Sequence, residues 1–344
     1  MKSIYFFCPS NDKPTGGVKQ IYRQVQMLNQ MKYRAFLLLK KKEKRKNSWY
    51  SSGHTIYNYN IFFSVLESLG AKKKTIFNTI KKVFNKSNDT MIEPDAIIVM
   101  PEIYGKNMHK ALGSRKYVIF NQNCFYTFQH YGFEYDKDNP YLNTNCLGVI
   151  VASDVAYEYL KYTFPNINIQ KITLGIDDKV FHYSCDKKKK ICYMPRKLSE
   201  DSEQIICILK AKSITEGWEL CALDNLAEDE IAKHMKESAI FLSFNHREGF
   251  GLPPVEAMAC GCCVIGYAGQ AGIEYLDSEF SYPIPDGDVI AFVKTIKQVI
   301  SLFNENATSI LAKGKKASEF VLEKYSLDNE FATTKKAWEN LLKN

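Results

Sequence analysis

Two glutamates flank a glycine turn in the segment REGFGLPPVEAMACG, residues 247–261. Glu248 and Glu256 are eight positions apart, with Gly-Phe-Gly, a leucine and two prolines between them. Glycine permits tight backbone geometry, and proline suits the first turn of a helix, where N–H groups have no internal partner. The segment therefore predicts a turn followed by a helix, with the N–H groups of Gly251 and Leu252 pointing at a bound anion.

Glu256 has two interpretations. It is predicted to fall in the first turn of this helix, where a capping carboxylate is common, but Leu252 and Pro253 do not supply the Ser or Thr of a capping box. Glu248, in the turn itself, is harder to explain structurally. Carboxylates accept hydrogen bonds from paired hydroxyl groups such as those of a sugar or ribose, so the pair predicts a site for such a ligand.

A second glycine turn, Gly16-Gly17, follows an apolar run at residues 3–9. The helix predicted after it carries one apolar face, formed by Val18, Ile21, Val25 and Leu28. In open α/β sheets ligands bind at the carboxyl ends of strands, where glycine lets the backbone approach phosphate. Gly16 and Gly17 thus predict a phosphate-side loop; an ordinary turn is the alternative.

Short apolar runs predict the strands that position these turns. They lie at residues 3–9, 34–39, 95–101, 116–122, 147–153, 190–195, 217–223, 239–244 and 262–267. Because these runs alternate with helical patterns, the fold class is α/β, with mostly parallel sheets covered by helices on both faces.

The alternating pattern breaks near residues 172–181, before the lysine-rich stretch SCDKKKK. A chain of 344 residues also favours two domains over one core. We predict a Rossmann-like domain over residues 1–180, with a basic insertion at about 40–90, and a second Rossmann-like domain over 181–324. Residues 325–344 are predicted to form a helix that packs back across the domains.

Composition excludes several classes of protein. Hydrophobic residues make up 45% and charged residues 24%, which is typical of a soluble globular protein. No apolar run approaches the roughly 20 residues that span a bilayer, and no secretory signal is recognisable. The ten cysteines are scattered, and the one C-x-x-C spacing, Cys260 and Cys263, has no second ligand pair to accompany it, which argues against zinc and predicts reduced thiols in a cytoplasmic protein.

The positive charge is concentrated in one segment. Residues 40–86 hold twelve Lys and Arg against two acids, an excess of ten. Because the whole chain carries +8, the remaining residues sum to −2. A general nucleic-acid binder more often spreads its basic charge across the domain, so no nucleic-acid partner is predicted.

The residues EGFGLPPVEAMACG resemble the Glu-x7-Glu signature of retaining, family-4-type glycosyltransferases, which carry a group 1 glycosyltransferase domain. The resemblance extends to GGVKQIYR, to VIVASDVAYEYLKYTFP with ITLGIDDKVF, and to GQAGIEYL. It covers most of the chain outside residues 40–90. It implies a GT-B fold, in which two Rossmann-like doubly wound domains face a cleft.

The resemblance also implies residue roles toward a nucleoside diphosphate sugar. Glu256 would bind the ribose diol and Glu248 the hydroxyl groups of the transferred sugar. Arg196, in YMPRK, would neutralise the leaving diphosphate. The remaining donor contacts would be backbone amides, supplied by Gly16 and Gly17 on one domain and by Gly249, Phe250, Gly251 and Leu252 on the other.

Two stretches depart from the family pattern. The family's lysine after the phosphate-binding arginine is represented only by Lys197, for which an exposed neighbour is the alternative. The family's histidine near the reacting sugar is absent from FNQNCFYTFQH, where Asn121, Gln122 and Asn123 follow the strand. We predict Asn121, Asn123 and Glu102, at another strand end, as acceptor-side residues.

The implied reaction transfers a hexose from the donor to an acceptor hydroxyl with retention, in the assembly of a bacterial-type surface glycan or polysaccharide. The resemblance implies that no protein nucleophile is needed. No Asp-x-Asp metal signature is present, since DGD at 286–288 sits at a predicted helix start; we predict no metal and no obligatory cofactor. The alternatives are a nucleotide-sugar epimerase of the same fold, or a non-catalytic basic protein that binds membranes or nucleic acid.

The basic segment has its own interpretation. Its second half predicts an amphipathic helix with an apolar face of Ile76, Phe77, Ile80, Val83 and Phe84 and lysines on the other side. Such a helix can lie on an anionic membrane, which would place a cytoplasmic enzyme on the inner face beside a lipid-linked acceptor. The alternative is that the apolar face packs on the N-terminal domain.

Overall fold

The computed structural model describes residues 2–9, 15–40, 54–58, 60–61, 64–65, 90–133, 135, 137–196, 198–244 and 246–343. The chain forms two compact units. The first comprises Met1–Ile172 and Phe331–Asn344, and the second comprises Thr173–Glu330. The boundary between the units lies between residues 172 and 173, whereas the sequence pattern placed it at residue 180.

The first unit is built on a parallel sheet with the strand order β3-β2-β1-β4-β5-β6-β7. Its strands are β1 (Ser3–Phe7), β2 (Arg34–Leu39), β3 (Thr55–Tyr57), β4 (Ile97–Pro101), β5 (Tyr117–Asn121), β6 (Cys146–Val151) and β7 (Ile169–Lys171). Every residue of β1, β4 and β5 is buried, as expected where helices cover both faces of a parallel sheet. The order reverses beside β1, where such sheets bind ligands.

Helices α1 (Gly16–Gln30), α2 (Met108–Leu112) and α3 (Asp154–Thr163) connect these strands. Thr15 caps α1, because its hydroxyl accepts the N–H of Val18 at 3.4 Å. The predicted apolar face of α1 is confirmed, since Val18, Ile21, Val25 and Leu28 are all buried.

The second unit contains a parallel sheet with the strand order β12-β11-β10-β8-β9. Its strands are β8 (Lys188–Tyr193), β9 (Glu219–Ala222), β10 (Ser238–Ser243), β11 (Cys263–Tyr267) and β12 (Tyr282–Ile284). The helices are α4 (Ser199–Ala211), α5 (Glu228–Glu237), α6 (Leu252–Ala259), α7 (Val289–Glu305), α8 (Thr308–Lys324) and α9 (Leu327–Leu342). The apolar runs predicted these long strands, whereas the three-residue strands β3, β7 and β12 carry too few residues to show a pattern.

Helix α6 begins at Leu252, directly after Gly251, and has prolines in its first turn as predicted. The helix contains no acidic residue in its first turn. The placement of Glu256 in that turn was therefore wrong; it is the fifth residue of the helix, in the second turn. A cap role for Glu256 is removed by this position, because N-terminal N–H groups of a helix lie in its first turn.

Helix α9 begins in the second unit, and its residues from Phe331 onward belong to the first. Trp338 is fully buried there, with its ring centroid 6.0 Å from that of Phe6 in β1. Most of the basic segment, and with it the predicted amphipathic helix, lies outside the described residues. Within the described ranges no helix is both long and apolar enough to cross a bilayer.

Candidate functional site

The carboxyl ends of the parallel strands in the second unit gather the predicted donor residues. Arg196 follows β8, Glu248 and the glycine turn follow β10, and α6 starts from that turn. Because the carboxyl ends of parallel strands meet at one edge of a sheet, this edge is where an α/β domain binds its ligand.

The glycine turn is fixed by Tyr275, a residue that the sequence analysis did not single out. The buried Tyr275 hydroxyl donates to the carbonyl oxygen of Phe250 at 2.7 Å and lies 3.3 Å from that of Gly251. Gly251 has φ +87°, and a Cβ built there would lie 2.5 Å from the Tyr275 oxygen. Only glycine satisfies both the left-handed backbone and the close approach of the tyrosine.

Aromatic side chains also pack around the same turn. The ring of Phe250 lies 5.5 Å from Tyr275 and 5.1 Å from Tyr325, both near edge to face. Edge-to-face pairs add about 0.5–1.5 kcal/mol beyond burial, so this packing stabilises the turn.

The two glutamates occupy different environments at this turn. Glu256 is buried, with 9% of its surface exposed, whereas Glu248 is half-buried. Burial raises the pKa of the Tyr275 hydroxyl well above its ordinary value, and the negative charge of Glu248 raises it further. Glu248 therefore lies beside the tyrosine that fixes the turn, and Glu256 lies deeper, on the helix.

Arg196 is held at the surface by an acid from the neighbouring strand. Its Nε lies 3.0 Å from Oδ1 of Asp224, and 55% of the arginine side chain remains exposed. The ion pair uses the Nε edge of the guanidinium, and an arginine carries five N–H donors in all. Asp224 follows β9 and orients Arg196. Lys197 lies outside the described residues.

The acidic DGD stretch has a structural role. Oδ1 of Asp288 accepts the N–H of Ala291 at 2.8 Å and so caps α7, which confirms the predicted helix start. Oδ1 of Asp286 accepts the N–H of Gly269 at 3.0 Å. Among the residues that the structure describes, no cluster of three or more metal-ligating side chains is found.

The first unit carries its own set of polar residues at the carboxyl edge of its sheet. Gly16 and Gly17 are exposed and open α1. Nδ2 of Asn121 donates to the hydroxyls of Thr127 and Tyr141, each at 2.9 Å, and the side chain of Asn123 accepts the N–H of Phe125 at 3.1 Å. Glu102 and Asn121 are buried, so their side chains support this edge from within.

Replacing Tyr275 with phenylalanine should weaken the support of the glycine turn at residues 249–251. The substitution removes only the hydroxyl group, so the volume of the site hardly changes. The loss of a hydrogen bond to a buried carbonyl should lower the free energy of unfolding by about 1–2 kcal/mol and raise KM for the donor several-fold. Chemical denaturation and steady-state kinetics measure both effects. Tyr162→Phe is the control, because Tyr162 is almost wholly exposed. Equal stability and equal KM in the two variants would contradict the role of Tyr275.

Comparison with known proteins finds a family model that matches the part of the chain that contains this site. Residues 201–316 match the family model described as glycosyl transferases group 1, a range that includes both glutamates and Tyr275. An α-1,6-glucosyltransferase of Actinobacillus pleuropneumoniae serotype 7 (strain AP76) is 29% identical over 248 residues, covering 70% of this chain and 71% of the relative.

Solved structures share the fold over the full chain. The sucrose-phosphate synthase of Thermosynechococcus elongatus has a TM-score of 0.70 at 14% identity, with 100% of both chains covered. Anabaena HepE, solved in complex with UDP and glucose, has a TM-score of 0.63 at 12% identity, again with 100% of both chains covered. Identities this low establish the fold, and the chemistry has to be argued from the site.

Proposed function

The chain is a glycosyltransferase of group 1 with the GT-B fold, and from this premise we propose that it transfers a hexose from a nucleoside diphosphate sugar to an acceptor hydroxyl with retention. The observation that carries the proposal is the arrangement of Glu248 and Glu256 around a preformed glycine turn at the start of α6. The α-1,6-glucosyltransferase relative favours glucose as the transferred sugar.

Each residue of the donor edge has a proposed task. Glu256 accepts hydrogen bonds from the ribose diol, and Glu248 accepts them from hydroxyl groups of the sugar. The amides of Gly249, Phe250, Gly251 and Leu252 bind the diphosphate and sugar, which suits the positive end of the α6 dipole. Arg196, with Lys197 beside it, neutralises the leaving group. Gly16 and Gly17 are proposed as further phosphate-binding residues.

The proposed reaction proceeds on one face of the sugar. The bond from the anomeric carbon to the diphosphate oxygen breaks while a bond to the acceptor oxygen forms on the same face. The acceptor proton passes to the departing phosphate oxygen, so no protein nucleophile is required. Arg196 and the α6 N-terminus supply the positive charge that the leaving group needs, and we therefore propose no obligatory metal or cofactor.

The acceptor is proposed to be a glycan, free or lipid-linked, in surface polysaccharide assembly. The carboxyl edge of the first unit, near Asn121 and Asn123, is the proposed acceptor side. Asn121 supports this assignment because its buried Oδ1 has no hydrogen-bond partner among the described residues. An unsatisfied buried acceptor favours a polar neighbour at this edge.

A donor screen tests the function directly. We expect one of UDP, GDP, ADP, dTDP or CDP to stabilise the fold by about 2.7 kcal/mol at 100 times its Kd, measured by thermal shift. NMR of the product made from the matching nucleotide sugar should show the donor's anomeric configuration retained. An inverted product would refute retention, and turnover that needs no acceptor would identify an epimerase instead.

Membrane association is proposed for the basic segment, residues 40–86, on the cytoplasmic face. Each Lys or Arg near an anionic surface contributes about 1 kcal/mol, so an excess of ten charges should give salt-sensitive binding. We expect the protein to sediment with vesicles that contain anionic lipid at low salt, and to be released at high salt. Neutral vesicles are the control, and equal, negligible sedimentation in all conditions would reject the association.

A further inference from the structure

Glu102 is a buried acid that the proposed reaction does not use. It begins the 3₁₀ turn Glu102–Tyr104 at the carboxyl end of β4, and only 4% of its surface is exposed. Its Oε2 accepts the backbone N–H of Gln122 at 3.2 Å, and its Oε1 accepts that of Asn123 at 3.1 Å. Both carboxylate oxygens thus hold the two residues that follow β5.

Gln122 extends this contact to the glycine pair that opens α1. Its Nε2 donates to the carbonyl oxygen of Gly17 at 3.1 Å. A Cβ built at Gly17 would lie 3.4 Å from Oε1 of Gln122, so the amide covers the glycine closely. Because β1, β4 and β5 are adjacent in the sheet, the contacts from Glu102 through Gln122 to Gly17 bridge three successive strand ends.

We propose that Glu102 is a positioning residue: its carboxylate fixes the turn after β5 and, through Gln122, the glycine pair that opens α1. These two segments then form one edge of the sheet that is held in place before the substrates bind. This inference rests on the proposed transferase function, because that function gives the edge its substrates. Glu102 itself is assigned no contact with them, since both of its oxygens are occupied by backbone N–H groups.

The charge state of Glu102 should control how well the turn is held. Burial raises the pKa of this carboxyl to about 7, against the lowering effect of backbone hydrogen bonds from Glu102 itself, Gln122 and Asn123. The titratable groups beside it are Cys124 and Tyr141, and burial raises the pKa of both, so they stay neutral near pH 7. The ionised carboxylate accepts two N–H groups, whereas protonation turns one oxygen into a hydroxyl donor.

The pKa shift also fixes the direction of the stability change. The folded-state pKa of about 7 lies above the ordinary 4.5, so the folded state binds this proton more tightly. The resulting stabilisation is complete below about pH 4.5 and is lost as the pH rises through 7. Wild type should therefore lose stability relative to Glu102→Gln between pH 5 and pH 8.

Amide hydrogen exchange tests the positioning role without any activity assay. We expect Glu102→Gln to speed exchange about tenfold in peptides that cover residues 121–126 and 15–20, because the glutamine amide keeps only one oxygen for the two backbone N–H groups. Glu93→Gln is the matched control, because Glu93 accepts hydrogen bonds from Ser3 and Tyr5 in β1 of the same unit. Unchanged exchange, or a change confined to 121–126, would overturn the proposal.

Kinetics then separate positioning from general support of the fold. In Glu102→Gln we expect kcat/KM to fall about tenfold and to lose its rise with pH near 7. The double variant with Gln122→Ala should lose little more than Glu102→Gln alone, because both act on one contact chain. Additive losses, or a retained rise near pH 7, would overturn the inference. Absence of any transferase activity would refute the proposed function and leave the exchange result to decide the role of Glu102.

Discussion

Replacing Arg196 with alanine should lower kcat for sugar transfer by about 100- to 1,000-fold while the protein stays folded. Removing one group that stabilises charge in a transition state typically costs a factor of this size. The structure separates this effect from stability, because 55% of the arginine side chain and 36% of that of Asp224 are exposed. Surface ion pairs contribute about 0–1 kcal/mol to folding.

Single-turnover kinetics at saturating donor would measure the chemical step in the Arg196→Ala variant. Lys316→Ala is the matched control, since Lys316 is also an exposed cation of the second unit, paired with Glu279 at 3.1 Å. Arg196→Lys should recover part of the rate, because it restores the charge without the planar fork that binds phosphate. A kcat in Arg196→Ala within threefold of wild type would remove the residue from the mechanism.

Asp224→Asn provides a graded test of the same assignment. The asparagine keeps the shape of the side chain and loses the charge that holds Nε of Arg196. We expect a smaller fall in kcat, about tenfold, because the guanidinium remains present and only its orientation is relaxed.

The sequence predicted those parts of the fold that depend on local pattern. The strands with long apolar runs and the prolines in the first turn of α6 follow from residue type and spacing. The position of Glu256 was misjudged, because the helix begins at Leu252 and its first turn ends before this residue. Periodicity locates a helix well and its first residue poorly.

Contacts between distant segments could not be predicted from the sequence. Tyr275 meets the glycine turn across 24 residues of chain, and Asp224 meets Arg196 from the next strand. The segment GQAGIEYL was recognised as a loop, but nothing local to it indicates where its tyrosine hydroxyl donates. The partners of Glu102 are equally remote, since they lie after another strand. Such pairs form only when the sheet brings its strand ends together.

The second large effect is expected at Glu256. In Glu256→Ala the affinity for the nucleoside diphosphate that stabilises wild type most should fall about ten- to a hundredfold. The physical reason is the loss of hydrogen bonds between a carboxylate and the ribose diol, which costs about 1.5–3 kcal/mol. Calorimetry with the free nucleotide measures this loss in the absence of any sugar.

The variants Glu256→Gln and Glu248→Gln show whether the affinity is lost through the charge of Glu256 and whether the two glutamates bind different parts of the donor. Because Glu256 is buried, its alanine variant also leaves a space in α6, whereas glutamine keeps the volume and removes only the charge. Glu256→Gln should weaken the nucleotide and the nucleotide sugar alike. Glu248→Gln should leave the free nucleotide within twofold of wild type and weaken only the nucleotide sugar, because Glu248 is assigned to sugar hydroxyls. If both variants weakened the two ligands equally, the glutamates would share one subsite, and the division between ribose and sugar would have to be abandoned.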